Sequence, residues 1–179
     1  MIEVEIKAKI DAPKIIINKL EQLGAKKGII EYQQDIYFKS PIVDFTKTDE
    51  CLRIRNSIKD GKEEIFMTYK GPKLDAKSQT RKEIEIPIDN CKKGIDMFES
   101  LGFTQAKIVK KNRQNYIYKD FKISLDYVEG LEPYMEIEKE SEEGKNFLDS
   151  QNQIFELFKM LGIEKGFERK SYLELLEEK

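Results

Sequence analysis

The chain opens on strict alternation. Ile2, Val4, Ile6, Ala8 and Ile10 are separated by Glu3, Glu5, Lys7 and Lys9, a period of two that predicts a strand with one apolar and one charged face. A helical period follows in DAPKIIINKLEQLGAKK (residues 11–27), where Ile16, Ile17, Leu20 and Leu23 share a face. Asp11 is placed to cap that helix, Pro13 suits its first turn and Gly24 ends it. Strands are predicted over YQQDIYF (32–38), CLRIRNSI (51–58) and EEIFMTYKG (63–71). SPIVDFTKTDE (40–50) reads as a loop, and Gly61 supplies a hairpin turn.

The same order then restarts. RKEIEIPID (81–89) resembles the opening strand, with Glu83 and Glu85 in the places of Glu3 and Glu5. The helix NCKKGIDMFESLGF (90–103) reaches Leu101-Gly102 as the first helix reaches Leu23-Gly24. Three strand-like stretches follow: RQNYIYKD (113–120), FKISLDYVEG (121–130) and EPYMEIEKE (132–140). Each half therefore reads strand, helix, three strands, as expected of a tandem duplication inside a single domain of residues 1–179, its halves roughly 1–80 and 81–179. The fold class expected is α+β: a closed eight-stranded antiparallel β-barrel, since closure removes exposed edges. Helices pack outside it, including NQIFELFKMLG (152–162) and a short C-terminal helix, SYLELLEE (171–178).

Composition narrows the chemistry. Charged residues make up 37% of the 179, against about 25% in a typical soluble domain. Acids and bases nearly cancel, 34 against 32, so a net charge of −2 offers no basic field for nucleic acid. Histidine is absent, which removes the commonest general base. Cys51 and Cys91 lack the paired spacing of a zinc or redox site and suit a reducing compartment. No apolar run approaches the ~18 residues of a membrane span, and the chain enters a strand at once, without the pattern of a signal peptide. A cytoplasmic protein is expected. The sequence does not decide between a monomer and a homodimer.

The charged faces carry the functional argument. Glu3, Glu5 and Lys7 lie in phase on the first strand, Arg53 and Arg55 on the third, and Lys70 ends the fourth. Arg81, Glu83 and Glu85 follow on the fifth, then Lys111 and Arg113, then Lys122, Ser124 and Asp126, then Glu136 and Glu138. The apolar faces must be covered. If the helices outside a barrel cover them, the charged faces point inward. Such an interior is expensive, at several kcal/mol of desolvation per ion, so its charges must be paired or must meet a ligand. One solvated strand face could look like this. Repetition over six or seven strands with so many arginines favours the inward reading. The bases Lys7, Arg53, Arg55, Lys70, Arg81, Lys111 and Arg113 suit a polyanion, because the guanidinium fork matches phosphate oxygens. The acids Glu3, Glu5, Glu136 and Glu138 suit a hard divalent cation such as Mg²⁺ or Mn²⁺. Together they point to a metal–polyphosphate ligand. An apolar-lined carrier barrel does not fit the alternation.

With these residues in place, the chain resembles the CYTH, or triphosphate tunnel metalloenzyme, superfamily, whose E-x-E-x-K signature stands here as Glu3, Glu5 and Lys7. It is most similar to the class IV adenylyl cyclase branch, which has thiamine triphosphatase relatives. QQDIYF, DFTKTDECLRIR, TYKGPKLDAKSQTRKEIEI, LDYVEGLEPYMEIE and KSYLELL carry that likeness over nearly the whole chain. The resemblance implies a metal-dependent enzyme binding a triphosphate in an eight-stranded tunnel. Glu3, Glu5 and Glu136 match its metal acids, and the seven bases match its phosphate positions. Asp126 matches an acid facing the reaction centre.

Two reactions fit such a cavity. A cyclase directs the ribose 3′-oxygen of ATP at the α-phosphorus; a triphosphatase directs water at the terminal phosphorus of tripolyphosphate, a nucleotide or thiamine triphosphate. A non-catalytic polyphosphate-binding module is a third reading. Without histidine, Lys7, Lys70 and Asp126 are the candidate catalytic bases. Tyr37, Phe38, Phe45 and Tyr127 are available for an adenine pocket, although each reads first as a core residue. The stretch GPKLDAKSQT (71–80) reads either as a mobile flap at the entrance or as a plain connection.

Overall fold

The computed structural model describes residues 2–141 and 147–179. Its elements are β1 (Ile2–Lys9), α1 (Pro13–Gln22), β2 (Lys26–Lys39), α2 (Phe45–Thr48), β3 (Cys51–Lys59), β4 (Lys62–Lys70), β5 (Glu83–Ile88), α3 (Cys91–Ser100), β6 (Thr104–Tyr118), β7 (Phe121–Val128), β8 (Tyr134–Ser141), α4 (Phe147–Met160), β9 (Phe167–Glu168) and α5 (Tyr172–Glu177). The nine strands form one sheet in the order β5-β4-β3-β2-β6-β7-β8-β1-β9, and the paired strands run antiparallel. The fold is α+β.

Local chemistry explains most boundaries. The β3–β4 hairpin closes on Asp60 and Gly61, both at positive φ (51° and 71°), the conformation that a two-residue turn of this hand requires. α1 begins at Pro13, but Ala12 occupies its N-cap without a side-chain hydrogen bond, so Asp11 does not cap it as expected. Ile16 and Leu20 of α1, with Ile154, Leu157, Phe158 and Leu161 from the α4 region, pack on Val4, Ile6, Ile123, Leu125, Met135 and Ile137. A second apolar layer places Phe98 of α3 over Ile36, Phe38, Ile54 and Ile65. Gly94 permits that approach, since a Cβ there would lie 2.8 Å from Ile88 Cδ1 and 3.0 Å from Ile54 Cδ1.

Two expectations change. Hydrogen bonding does not close the sheet as an eight-stranded barrel. β1 carries two-residue pairing with β9 (Lys7 with Glu168, Ala8 with Phe167) and a single bridge from Glu3 to Arg81. The Gln79 N–H also donates to Glu5 O at 2.9 Å. The sheet nonetheless curls, because residues of β1 to β6 and of β8 line one cavity. The segment between β4 and β5 is the material of that seam. Asp75 accepts from the Lys77 and Ser78 amides and from Gln151 of α4, and its carbonyl accepts from Arg169. Those bonds tie the segment down where a flap had been one of two readings.

α5 was expected outside with the other helices. Its Tyr172 instead packs with Tyr37, Val109, Val128 and Tyr134, which share the charged face of the sheet. α5 therefore plugs one end of the curl.

Candidate active site

The inner faces meet around a cavity of about 210 Å³. Glu3, Glu5 and Lys7 reach it from β1, Arg53 and Arg55 from β3, Lys70 from β4, Lys111 and Arg113 from β6, and Glu136 and Glu138 from β8. Arg81 enters from the seam. The alternation thus brings together every residue expected to bind phosphate or metal.

Within this set the charges divide into two kinds. The first kind is paired. Arg55 donates to Asp35 through Nε (2.6 Å) and Nη2 (2.7 Å). Arg113 makes the same two-pronged contact with Asp126, at 2.7 and 2.6 Å, and also grips Glu136. Lys70 holds Glu83 at 2.7 Å. Burial opposes ionisation of Asp35 and Asp126, yet the neighbouring guanidiniums outweigh it and hold both carboxyls well below the usual range. Burial and Asp126 oppose ionisation of Glu136, but Arg113, Lys111 and Lys7 together outweigh them and lower it.

The second kind is unpaired. Among the described residues, Glu3 and Glu5 have no cation within 4.0 Å, and Lys7 and Arg81 have no carboxylate. Carboxylate oxygens of Glu3, Glu5 and Glu138 lie within 4.8 Å of one another. Burial, reinforced by neighbouring carboxylates, pushes each of the three up to about 7. Next to Glu5 on the same face of β1, Lys7 donates to Lys170 O at 2.5 Å and stands 4.2 Å above the Tyr172 ring. Burial pulls its pKa down, and Glu136 and Glu5 offset this only in part. Burial and Arg113 bring Lys111 to about 8. Among the described residues, Arg81 has only the carbonyls of Asp49 and Gly71 as side-chain partners, both at 3.4 Å.

Three clustered hard oxygen donors, two of them with no cation partner among the described residues, fit a divalent metal such as Mg²⁺ or Mn²⁺. The trio is Glu3, Glu5 and Glu138; Glu136, expected with them, is gripped by Arg113, which stands farther, at 3.7 Å, from Glu138. The candidate bases also separate. Asp126 is fully buried behind Arg113 and Lys111 and does not line the cavity. Lys70 is raised, since Glu83, Glu5 and Glu3 outweigh the effects of burial and Arg53. Lys7 alone of the three combines a place on the wall with a lowered pKa.

Sequence reasoning missed Asp35, Gln79 and Tyr172. Asp35 stands in phase with Gln33 and Tyr37 and directly opposite Arg55, so pairing the strands would have found it. Tyr172 has no such signal, because its helix is not part of the alternation. Its hydroxyl donates to Asp126 at 2.8 Å.

A second, more apolar cavity of about 120 Å³ adjoins the first and shares Tyr37, Cys51, Arg81 and Ser171 with it. Phe38, Phe45, Leu52 and Leu173 form much of its wall. Tyr127 is elsewhere, 42% exposed.

A curled antiparallel sheet with buried acids and bases converging on one cavity defines a class of charged-cavity α+β proteins. The CYTH domain model matches residues 1–172, and the chain belongs to the CYTH family. It is similar to "Putative adenylate cyclase MJ0240" of Methanocaldococcus jannaschii, with 43% identity over 98% of both chains. It is also similar to "Adenylate cyclase CyaB" of Aeromonas hydrophila, with 26% identity over 98% of this chain and 89% of that one. Among solved structures, the PH1819 protein from Pyrococcus horikoshii OT3 superposes with a TM-score of 0.92 at 41% identity, covering 98% of each chain. Family membership implies a divalent cation. No helix among the described residues is long and apolar enough to cross a membrane.

Proposed function

We propose that this chain is a divalent-metal-dependent enzyme acting on a triphosphate in the charged cavity, with adenylyl cyclase chemistry, ATP to cyclic AMP and pyrophosphate, as the first reading. One observation carries it: Glu3 and Glu5 lack a cation while Lys7 and Arg81 lack an anion, across a single cavity. A bound triphosphate with its metal answers both deficits at once. A module that only binds polyphosphate has no use for the carboxylates. The adenylate cyclase names of two relatives support the same choice.

Glu3, Glu5 and Glu138 would hold Mg²⁺ or Mn²⁺, which when bound neutralises phosphate oxygens and acidifies a coordinated hydroxyl. Arg81, Arg53, Arg55, Arg113, Lys70 and Lys111 bind and orient the phosphate chain, Arg55 and Arg113 through the guanidinium N–H groups that their aspartates leave free. Asp35 and Asp126 fix the Arg55 and Arg113 forks before substrate arrives. Lys7 is the preferred base: its lowered pKa and cavity position suit it to take a proton from the nucleophile. The bridge at Glu3–Arg81 supports a tunnel completed along that seam. The duplicated half-plan is part of the same proposal, since the sheet order reads β5-β4-β3-β2 from one end of the eight strands and β1-β8-β7-β6 from the other.

The adjoining apolar cavity favours an organic triphosphate, because its aromatic wall offers a ring a place beside the phosphate site. The charged cavity itself favours the second reading, hydrolysis of tripolyphosphate, a nucleotide or thiamine triphosphate, since it is polar almost throughout. A product assay separates them. Purified protein is supplied with ATP, tripolyphosphate or thiamine triphosphate and Mg²⁺ or Mn²⁺. Cyclic AMP with pyrophosphate supports the cyclase; orthophosphate supports the hydrolase. Binding without either product overturns catalysis.

A further inference from the structure

Gln79 is the odd member of the seam. Its neighbours Ser78 and Thr80 are buried and answer each other and Asp75 through hydrogen bonds. Gln79 is 9% exposed and lines the charged cavity, and its Nε2 has no hydrogen-bond partner among the described residues. Its place is fixed, because its backbone N–H donates to Glu5 O at 2.9 Å. Two residues on, Arg81 reaches the same cavity and bridges to Glu3. Gln79 and Arg81 therefore lie along β1 beside two of the three clustered acids. Buried polar groups are hydrogen-bonded as a rule, and one left without a partner calls for an explanation.

The residue type is informative. A lysine or arginine next to Glu5 would pair with the carboxylates and compete with a metal. A carboxylate would add a fourth negative charge. A carboxamide donates to an anion without doing either.

We propose that Gln79 is a substrate-contacting residue whose carboxamide N–H donates to a polyphosphate oxygen beside the Glu3–Glu5–Glu138 cluster, so that the bound ligand completes the seam between β1 and the 71–82 segment. The assignment rests on the triphosphate reading above and adds to it a neutral donor, outside the charged set, that senses the phosphate chain rather than the metal.

Two variants test it. Gln79→Met keeps the length and removes the donor; Gln79→Glu keeps the shape and adds charge. Binding of imidotriphosphate, the nitrogen-bridged analogue of tripolyphosphate, is measured by calorimetry with Mg²⁺ present. Mn²⁺ alone is titrated by electron paramagnetic resonance, and thermal midpoints are recorded. Gln79→Met is expected to weaken analogue binding about tenfold, the size of one hydrogen bond to a charged group, and Gln79→Glu more. Mn²⁺ affinity and midpoint should stay at wild-type values in Gln79→Met. Wild-type analogue binding in both variants overturns the proposal. So does a loss of analogue binding in Gln79→Met matched by an equal loss of Mn²⁺ affinity or by a lowered midpoint, which marks a structural role. If the wild-type protein itself binds no analogue, the triphosphate reading fails and takes this one with it.

Discussion

β1 and β5 carry the same Glu-x-Glu, and the two motifs end in opposite electrostatic states. On β5, Glu83 faces Lys70 and Glu85 faces Thr68 across the β4 ladder. Lys70 pairs with the first, and the Thr68 hydroxyl donates to the second at 2.8 Å. On β1, Glu3 faces Glu140 and Glu5 faces Glu138, so the motif meets more acid. The strand next door decides the outcome. β4 presents a threonine and a lysine, and β8 presents two glutamates. A motif that is merely satisfied on one side becomes a site of uncompensated charge on the other. That contrast separates the groups that build the cavity from those that await a ligand.

The largest expected effect breaks this contrast directly. Glu5→Gln should lower metal-dependent turnover at least about 100-fold, since a metal ligand stabilises the transition state by several kcal/mol. Glu85→Gln, at the equivalent position, should leave turnover near the wild-type rate. Steady-state kinetics at saturating Mg²⁺ or Mn²⁺ decide it. Equal losses in both variants would mean that the two motifs serve the same end.

Next in size is the loss of a built pair. Asp35→Asn leaves the Arg55 guanidinium without its carboxylate and Arg53 with only the more distant Glu83 and Glu85. Breaking a buried ion pair from one side costs about 3–5 kcal/mol, to be read as a lowered denaturation midpoint in urea. Tripolyphosphate should recover part of it, because phosphate oxygens can take the place of the lost carboxylate. A variant as stable as the wild type would show that water already reaches those forks.

The two kinds of charge also respond to pH with opposite sign. Glu3, Glu5 and Glu138 bind protons up to about pH 7 in the fold, against 4.5 for an ordinary glutamate. Between those values the folded chain holds more protons than the unfolded one. Stability of the metal-free protein from these groups therefore falls as pH rises through that window, on the order of a few kcal/mol. Asp35 and Asp126, held well below the ordinary 3.8, contribute stability above that pH and lose it as acid is added. Thermal midpoints between pH 3 and 9 should thus peak on the acid side of neutrality, and Mn²⁺ should lift the alkaline limb. A midpoint that rises steadily from pH 5 to 8 without metal would show that the three acids do not repel one another.

The alternation in β1, β3, β5 and β8 makes the inner face legible in the sequence, because a closed or curled sheet forces one face of each strand inward. The same logic placed Glu3, Arg53, Lys111 and Glu138 around one cavity. It failed where period two fades. β2 begins at Lys26 and β6 at Thr104, well ahead of the expected strands, through stretches such as KKGII and TQAKIV with no clean two-faced pattern. Those extensions hold because the two strands pair with each other, register shifts included. Strand number, short turns and the advantage of covered edges point to closure, but none of them says whether the last two edges meet. The partners of each charge, such as Glu136 with Arg113 rather than with the other acids, depend on registers that one strand cannot reveal.

α5 was illegible for a different reason, and Tyr172 gives the smallest and sharpest test. Two buried carboxylate–guanidinium forks stand on the inner face of the sheet, and only Asp126 of the two aspartates also receives a phenolic hydrogen bond. Tyr172→Phe removes that hydroxyl but keeps the ring under Lys7 and Lys111. Asp126 retains Arg113 and Lys111, so the cost should sit near the low end for a bond to a charged group, about 1.5 kcal/mol, or a midpoint lower by roughly 3–6 °C for a chain of this length. Tyr172→Ala should cost more, because it also uncovers two buried ammonium groups and the apolar ring contacts beneath α5. A Phe variant indistinguishable from wild type, beside a strongly destabilised Ala variant, would assign the plug's contribution to the ring alone and leave the two forks equivalent. Unchanged midpoints in both variants would mean that α5 does not hold the end of the cavity shut.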